Sequence, residues 1–389
     1  MRRSPILRIP RPRPRLAPRA GVAALAFVAL AASAAAQPAR PSLPDRMSDS
    51  AFWALINDLS EPGGFFRSEN LLSNETSFQW VVPGLQKISH PNAVYLGVAP
   101  EQNFTFIAAL RPKVAFILDI RRGNLLEHLM YKAVFESSAN RAEFLSKLFG
   151  RPKPEHLSGA STVQDLFAAY GTAPADSAFA SRTFLAIIDR LTRTHGFGLT
   201  ADDIRNIEWI YSMFVSYGPH LTYSFGGGGG FGYGGRGMPT YAQLMLETDS
   251  TGTHRSYLAT ETNYRLIRDM QERNVIVPLT GDFAGPKAVR AVGAWVRERG
   301  ATVTAFYTSN VEQYLFQQAD DWRRFFQNVA TLPLDSSSVF IRSSSQGMWS
   351  RAQSPNSRQA ELLCPIGELL RGFNEGKVLY YGAVFETCR

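Results

Sequence analysis

Two carboxylates in this chain stand where a buried strand runs out into a turn, a position that gives an acid chemistry to do. Asp119 closes the apolar run 114–118 and follows Gly97 by 22 residues. Asp282 follows the apolar run 275–279 in the turn Gly281-Asp-Phe-Ala-Gly-Pro286. Ligands of open α/β sheets sit beyond the carboxyl ends of the strands. An acid at that rim can accept hydrogen bonds from ribose-like hydroxyls, or orient and deprotonate a reacting group. Asp119 is therefore a candidate ligand contact; the alternative is an acid that caps its own turn or pairs with Arg121 or Arg122. Asp282 is a candidate catalytic or ligand-orienting group, and its alternative role is capping the helix that starts at Pro286.

The turn after the first strand adds Gly97, Ala99, Glu101 and Asn103 to the candidate cofactor-binding set. Gly97 permits close backbone approach, and a helix beginning near Glu101 offers free N–H groups. Glu101 would repel a phosphate, and the three-glycine spacing of a pyrophosphate loop is absent. A nucleoside-like group without a diphosphate fits these residues better. Arg121 and Asn74 complete the set, Asn74 lying in the arm Ser68-Glu-Asn-Leu-Leu-Ser-Asn-Glu75. That arm is dense in hydrogen-bonding groups and can fold over a ligand or form a capped surface turn. Glu312 and Tyr314, beside Asn310, form a polar cluster after another strand and are further catalytic candidates. The six histidines show neither HxxxH nor HxH spacing, so no metal site is expected. No G-x-S-x-G elbow or nucleophilic cysteine is apparent, which argues against serine and cysteine hydrolases.

The elements that must position these groups alternate between strand and helix. Residues 48–59 carry Phe52, Leu55, Ile56 and Leu59 on one helical face. A strand at 95–98, a helix stopped by Pro112, and a continuous apolar strand at 114–120 form a β-α-β unit. Asn124 with Glu127 reads as a capping box opening a long helix to Phe149. Residues 151–217 read as helix, with Thr200 and Asp203 another capped start. Strands follow at 275–279, 302–307 and 338–341, with a helix ending at Gly300. Residues 377–385 are apolar and β-rich, and read as a last, antiparallel edge strand. The pattern predicts an α/β, Rossmann-like, mostly parallel sheet with helices on both faces, a helical insertion and that antiparallel edge strand. The domain layout expected is a leader at 1–36, a helix and arm at 37–92, and one domain at 93–389. The insertion spans about 141–260 and includes the Gly-rich segment 226–237, read as a mobile loop or lid rather than a phosphate cradle.

Composition constrains the setting. The first 20 residues hold seven arginines and no acid, and an apolar stretch and Ala34-Ala35-Ala36 follow. This is the layout of a cleaved secretory leader, and the stretch is short for a bilayer span. The net charge of +8 is almost entirely the leader's. The remainder has no basic cluster of the kind nucleic acid requires. Cys364 and Cys388 are the only cysteines, and in an exported chain they read as one disulfide. A periplasmic or secreted protein with no stable membrane span after leader removal is expected.

At these residues the chain resembles class I, Rossmann-like, S-adenosylmethionine-dependent methyltransferases. It is most similar to a group of bacterial exported proteins sharing the phrases GVAPEQNFTFIAALRP, FILDIRR and GDFAGPKAVRAVG, and the resemblance covers about 60–345. Of the family's glycine-rich first turn, Gly97 is present, and Asp119 matches its ribose-binding acid. The resemblance implies a small-molecule site at the strand rim, with S-adenosylmethionine as the cofactor of the family. The expectation is an exported methyltransferase-like domain binding a nucleoside-like molecule. The alternatives are a true S-adenosylmethionine-dependent methyltransferase and a non-catalytic envelope protein that contacts a protein partner.

Overall fold

A computed structural model describes residues 41–223, 238–345, 359–386 and 388. The expected leader and the Gly-rich segment 226–237 lie outside the described residues. The chain opens with α1 (Asp49–Leu59), α2 (Val82–Lys87), β1 (Ala93–Gly97), α3 (Gln102–Leu110), β2 (Val114–Asp119) and α4 (Arg122–Glu136). Among the described residues, six α-helices precede the next strand: α5 (Arg141–Leu148), α6 (Val163–Thr172), α7 (Ser177–Asp189), α8 (Ala201–Tyr217), α9 (Tyr241–Leu246) and α10 (Glu261–Glu272). The α/β alternation then resumes with β3 (Ile276–Thr280), α11 (Ala288–Glu298), β4 (Thr302–Ser309), α12 (Val311–Leu315) and α13 (Asp321–Val329). β5 (Val339–Ser345), β6 (Gln359–Pro365) and α14 (Ile366–Asn374) close the order.

The six strands form one sheet in the order β3-β2-β1-β4-β5-β6. All neighbours are parallel except β5 and β6. This is the mostly parallel α/β sheet that the sequence pattern predicts. Every residue of β1, β2 and β3 is buried, as continuous apolar runs covered on both faces must be. α3, α4 and α10 pack together, α4 resting on β2 and β3, while α11 packs on β4 beside α13 and α1. Right-handed crossovers to either side of β1 put these two groups on opposite faces. Strand order reverses between β1 and β4, so their carboxyl ends diverge and leave a crevice between them.

Three local expectations are corrected. The antiparallel edge strand is β6, whose Cys364 pairs with Phe340 and Leu362 with Arg342; residues 377–385 instead end in a 3₁₀ turn, Tyr381–Phe385. Glu361 interrupts the apolar pattern of β6 although it is buried, which hides a strand from a hydrophobicity reading. α4 starts at Arg122, so Asn124 and Glu127 lie inside the helix and make no capping box. The long helix to Phe149 is two helices, α5 being capped by Asn140 through the Glu143 N–H at 3.0 Å. The capped start at Thr200 and Asp203 is present as read. Cys364 and Cys388 are disulfide-bonded across a sequence separation of 24.

Candidate functional site

The crevice at the β1–β4 divergence holds a cavity of about 150 Å³, or about 850 Å³ with its open mouth counted. Its rim is built strand by strand. At the end of β1, Asn103 donates its side-chain amide to the carbonyls of Val98 (2.8 Å), Ala99 (2.9 Å) and Pro100 (2.7 Å). Tyr95 donates its hydroxyl to the Asn103 carbonyl oxygen at 2.7 Å. A Cβ at position 97 would lie 1.9 Å from that oxygen, so only glycine fits there. Asn103 and Gly97 thus shape the loop that presents Ala99 to the cavity. Ala99 has φ 66, and Ser309 at the end of β4 has φ 53. These two left-handed, non-glycine residues flank the crevice, each held at a cost of roughly 1–3 kcal/mol by the surrounding contacts.

At the end of β2, Asp119 accepts from the Arg121 backbone N–H (2.8 Å) and from its guanidinium (3.3 Å). Arg121 also reaches Glu69 at 3.2 Å and the Asn70 carbonyl at 3.4 Å. Asp119 and Arg121 both line the cavity, and the pairing alternative for Asp119 is realised alongside that position. Beyond the end of β3, Asp282 accepts from the Ala284 N–H at 2.9 Å and lines the cavity. Burial, with Asp321 and Glu61 nearby, raises its pKa above the ordinary carboxylate value. The N-terminus of α11 is capped by Glu61, which accepts from the Lys287 (2.7 Å) and Ala288 (2.6 Å) N–H groups. Asp282 does not serve as that cap.

The arm crosses the strand ends one after another. The Glu61 N–H donates to the Thr280 carbonyl and the Gly64 N–H to the Ile120 carbonyl, both at 2.8 Å. Further on, the Ser73 N–H meets the Glu101 carboxyl at 3.5 Å, and Glu75 accepts from Tyr307 (2.5 Å) and from Ser309. Phe66, Ser73, Asn74 and Glu75 therefore form one wall and the floor of the cavity. Gln102 donates to the Tyr307 hydroxyl at 2.8 Å and extends that floor. Tyr314 lies at the mouth, edge-on to Phe66 at 5.1 Å.

Four predicted residues do not line the cavity: Gly97 and Asn103 hold the β1 loop behind it, and Glu312 and Glu101 lie elsewhere. Glu312 is buried in a two-pronged ion pair with Arg342, at 2.6 and 2.8 Å. Glu101 is buried under the rim, where desolvation, with the charge of Glu75 adding to it, lifts its pKa to about 8. Sequence reasoning singled out neither Tyr307 nor Ser309 as a site residue, and it left Glu75 undistinguished within the arm. Their only signal was a run of hydroxyls and acids in otherwise apolar surroundings. Among the described residues no group of His, Cys, Asp or Glu could hold a metal ion.

Fold and site together define a mostly parallel α/β protein with a small-molecule-sized cavity at the strand-order reversal. A family model described as a domain of unknown function, DUF7790, matches residues 71–159 and 231–363. That is more than half of the chain, and the chain belongs to this family. No curated protein matches it.

Proposed function

We propose that the chain is an exported, methyltransferase-like protein that binds a nucleoside-like small molecule in the β1–β4 crevice. The observation that carries this reading is the coincidence of three features at one place. Strand order reverses there, left-handed Ala99 and Ser309 flank the opening, and Asp119 closes the adjacent β2 at the cavity wall. Backbone strain concentrated at a cavity supports a functional role for it. Asp119 at the end of the second strand favours a second, narrower reading, an S-adenosylmethionine-dependent methyltransferase. Export is supported by the Cys364–Cys388 disulfide. No helix among the described residues is long and apolar enough to cross a membrane.

The test is a thermal-shift panel on the purified protein with adenosine, S-adenosylmethionine, S-adenosylhomocysteine, nucleoside diphosphates and sugars. Adenosyl compounds are expected to raise Tm, with the effect about tenfold weaker in concentration terms for Asp119→Ala, the loss of one good hydrogen-bonded contact. The reading is abandoned if millimolar nucleosides leave Tm unchanged. Stabilisation confined to the two S-adenosyl compounds would select the methyltransferase reading.

A further inference from the structure

The charges around the cavity do not balance. Three carboxylates line it (Glu75, Asp119 and Asp282), against one cation among the described lining residues, Arg121. Arg121 is already held between Asp119 and Glu69. Glu75, one of the lining residues, is buried to 1% exposure; it accepts from Tyr307 and Ser309 and has Ser343 and Glu361 within hydrogen-bond reach, none of them a cation. The buried guanidinium of β5, Arg342, is committed to Glu312. Glu361 of β6 lies beside Glu75, and burial together with the charge of Glu75 pushes it well above the ordinary carboxylate range. The two acids share one buried site with no cation among their hydrogen-bond partners. Burial raises Glu75 as well, opposed by the Ser309 and Tyr307 hydroxyls. A buried carboxylate without a cationic partner is costly.

The walls supply what a soft cation needs. Phe66, Tyr223, Phe283, Tyr307 and Tyr314 line the cavity, the Tyr314 ring already carrying the Arg67 guanidinium at 5.0 Å, and a cation seated over a ring face gains up to about 2 kcal/mol when desolvated. The volume of about 150 Å³ matches a cavity that takes roughly a benzene-sized group, which is the size of a trimethylammonium or sulfonium head. Phosphate-bearing ligands meet three acids and no free cation among the described lining residues.

We infer that the pocket selects an organic cation, a quaternary ammonium, sulfonium or small amine, seating its charged head against Glu75 among the aromatic walls with the rest of the molecule toward the mouth. This rests on the crevice being the ligand site and narrows its ligand class.

Matched pairs that differ in charge but little in shape test it. Calorimetric titration of the purified protein would compare choline with 3,3-dimethyl-1-butanol, and S-adenosylmethionine with S-adenosylhomocysteine. The cation of at least one pair is expected to bind about tenfold or more tightly than its neutral counterpart. That preference should vanish in Glu75→Gln, which keeps the side chain's shape, and persist in Gln86→Ala, an exposed position that does not line the cavity. If Glu75→Gln fails to fold, Tyr307→Phe, which removes the hydroxyl donor to Glu75, must still alter the preference. Equal affinity within both pairs overturns the cation inference and leaves the crevice as a ligand site. Failure of all four probes overturns it as well. A cation preference without adenosine binding upholds it and rejects the nucleoside reading.

Discussion

At the residue scale, Glu312 and Glu75 are both buried acids, but of the two only Glu312 has a guanidinium partner. Glu312 is matched in both oxygens by one guanidinium that also stacks over the Phe340 ring at 4.1 Å. Breaking a buried pair on one side leaves an uncompensated charge, so Glu312→Ala is expected to cost about 3–5 kcal/mol. Denaturant titration checks the loss, and a double substitution Glu312→Leu with Arg342→Met should recover most of it. Gly97 makes the opposite point, that a residue without a side chain can hold a site together. Gly97→Ala forces a methyl onto the Asn103 oxygen, at a cost of about 1–3 kcal/mol for an overpacked position. Because Asn103 organises the Ala99 loop, ligand affinity should fall with stability in this variant. Unchanged affinity in Gly97→Ala would show that the loop does not shape the site.

At the element scale, α4 is a helix buried on nearly all sides, and its charged residues act as ties. Lys132 pairs with Glu136 at 2.6 Å and donates to the Gln271 carbonyl at 2.5 Å, joining α4 to α10. His195, after α7, bridges Glu136 of α4 at 2.7 Å and Asp49 of α1 at 2.9 Å. Burial works against the charged ring, but Glu136 and Asp49 more than offset it, so the His195 pKa lies above its ordinary 6.5. A raised histidine contributes stability that is fully present below pH 6.5 and disappears as pH climbs through the raised value. Urea midpoints measured from pH 5.5 to 9 should therefore decline over that interval, and His195→Gln should flatten the decline. A midpoint rising with pH over the same interval would contradict the bridge. The elements themselves were largely legible. Apolar runs announced β1 to β4, because a strand covered on both faces has no polar alternation to blur it. β6 was missed because Glu361 breaks its apolar run, and its partners there, Ser343 and Glu75, are brought to it by the fold.

At the scale of the whole molecule, the disulfide ties β6 to the C-terminal turn. Closing a loop of 24 residues is worth roughly 3 kcal/mol in the chain-entropy description. Reduction should lower Tm by several degrees, and Cys364→Ser/Cys388→Ser should match the reduced protein; an unchanged Tm on reduction would remove the disulfide from the stability of the fold. The sequence by itself determined the α/β class, the rim acids Asp119 and Asp282, and the cysteine pair. Each follows from local pattern: apolar periodicity, glycine beside acid at a strand end, and a cysteine count of two. Only the tertiary structure decided that Glu312 is spent on Arg342, that Glu61 rather than Asp282 caps α11, and that the arm carries Glu75 to the cavity floor. Those pairings join residues far apart in the chain. Their free energy comes from desolvation in a shared interior, which has no signature in the local order of the residues.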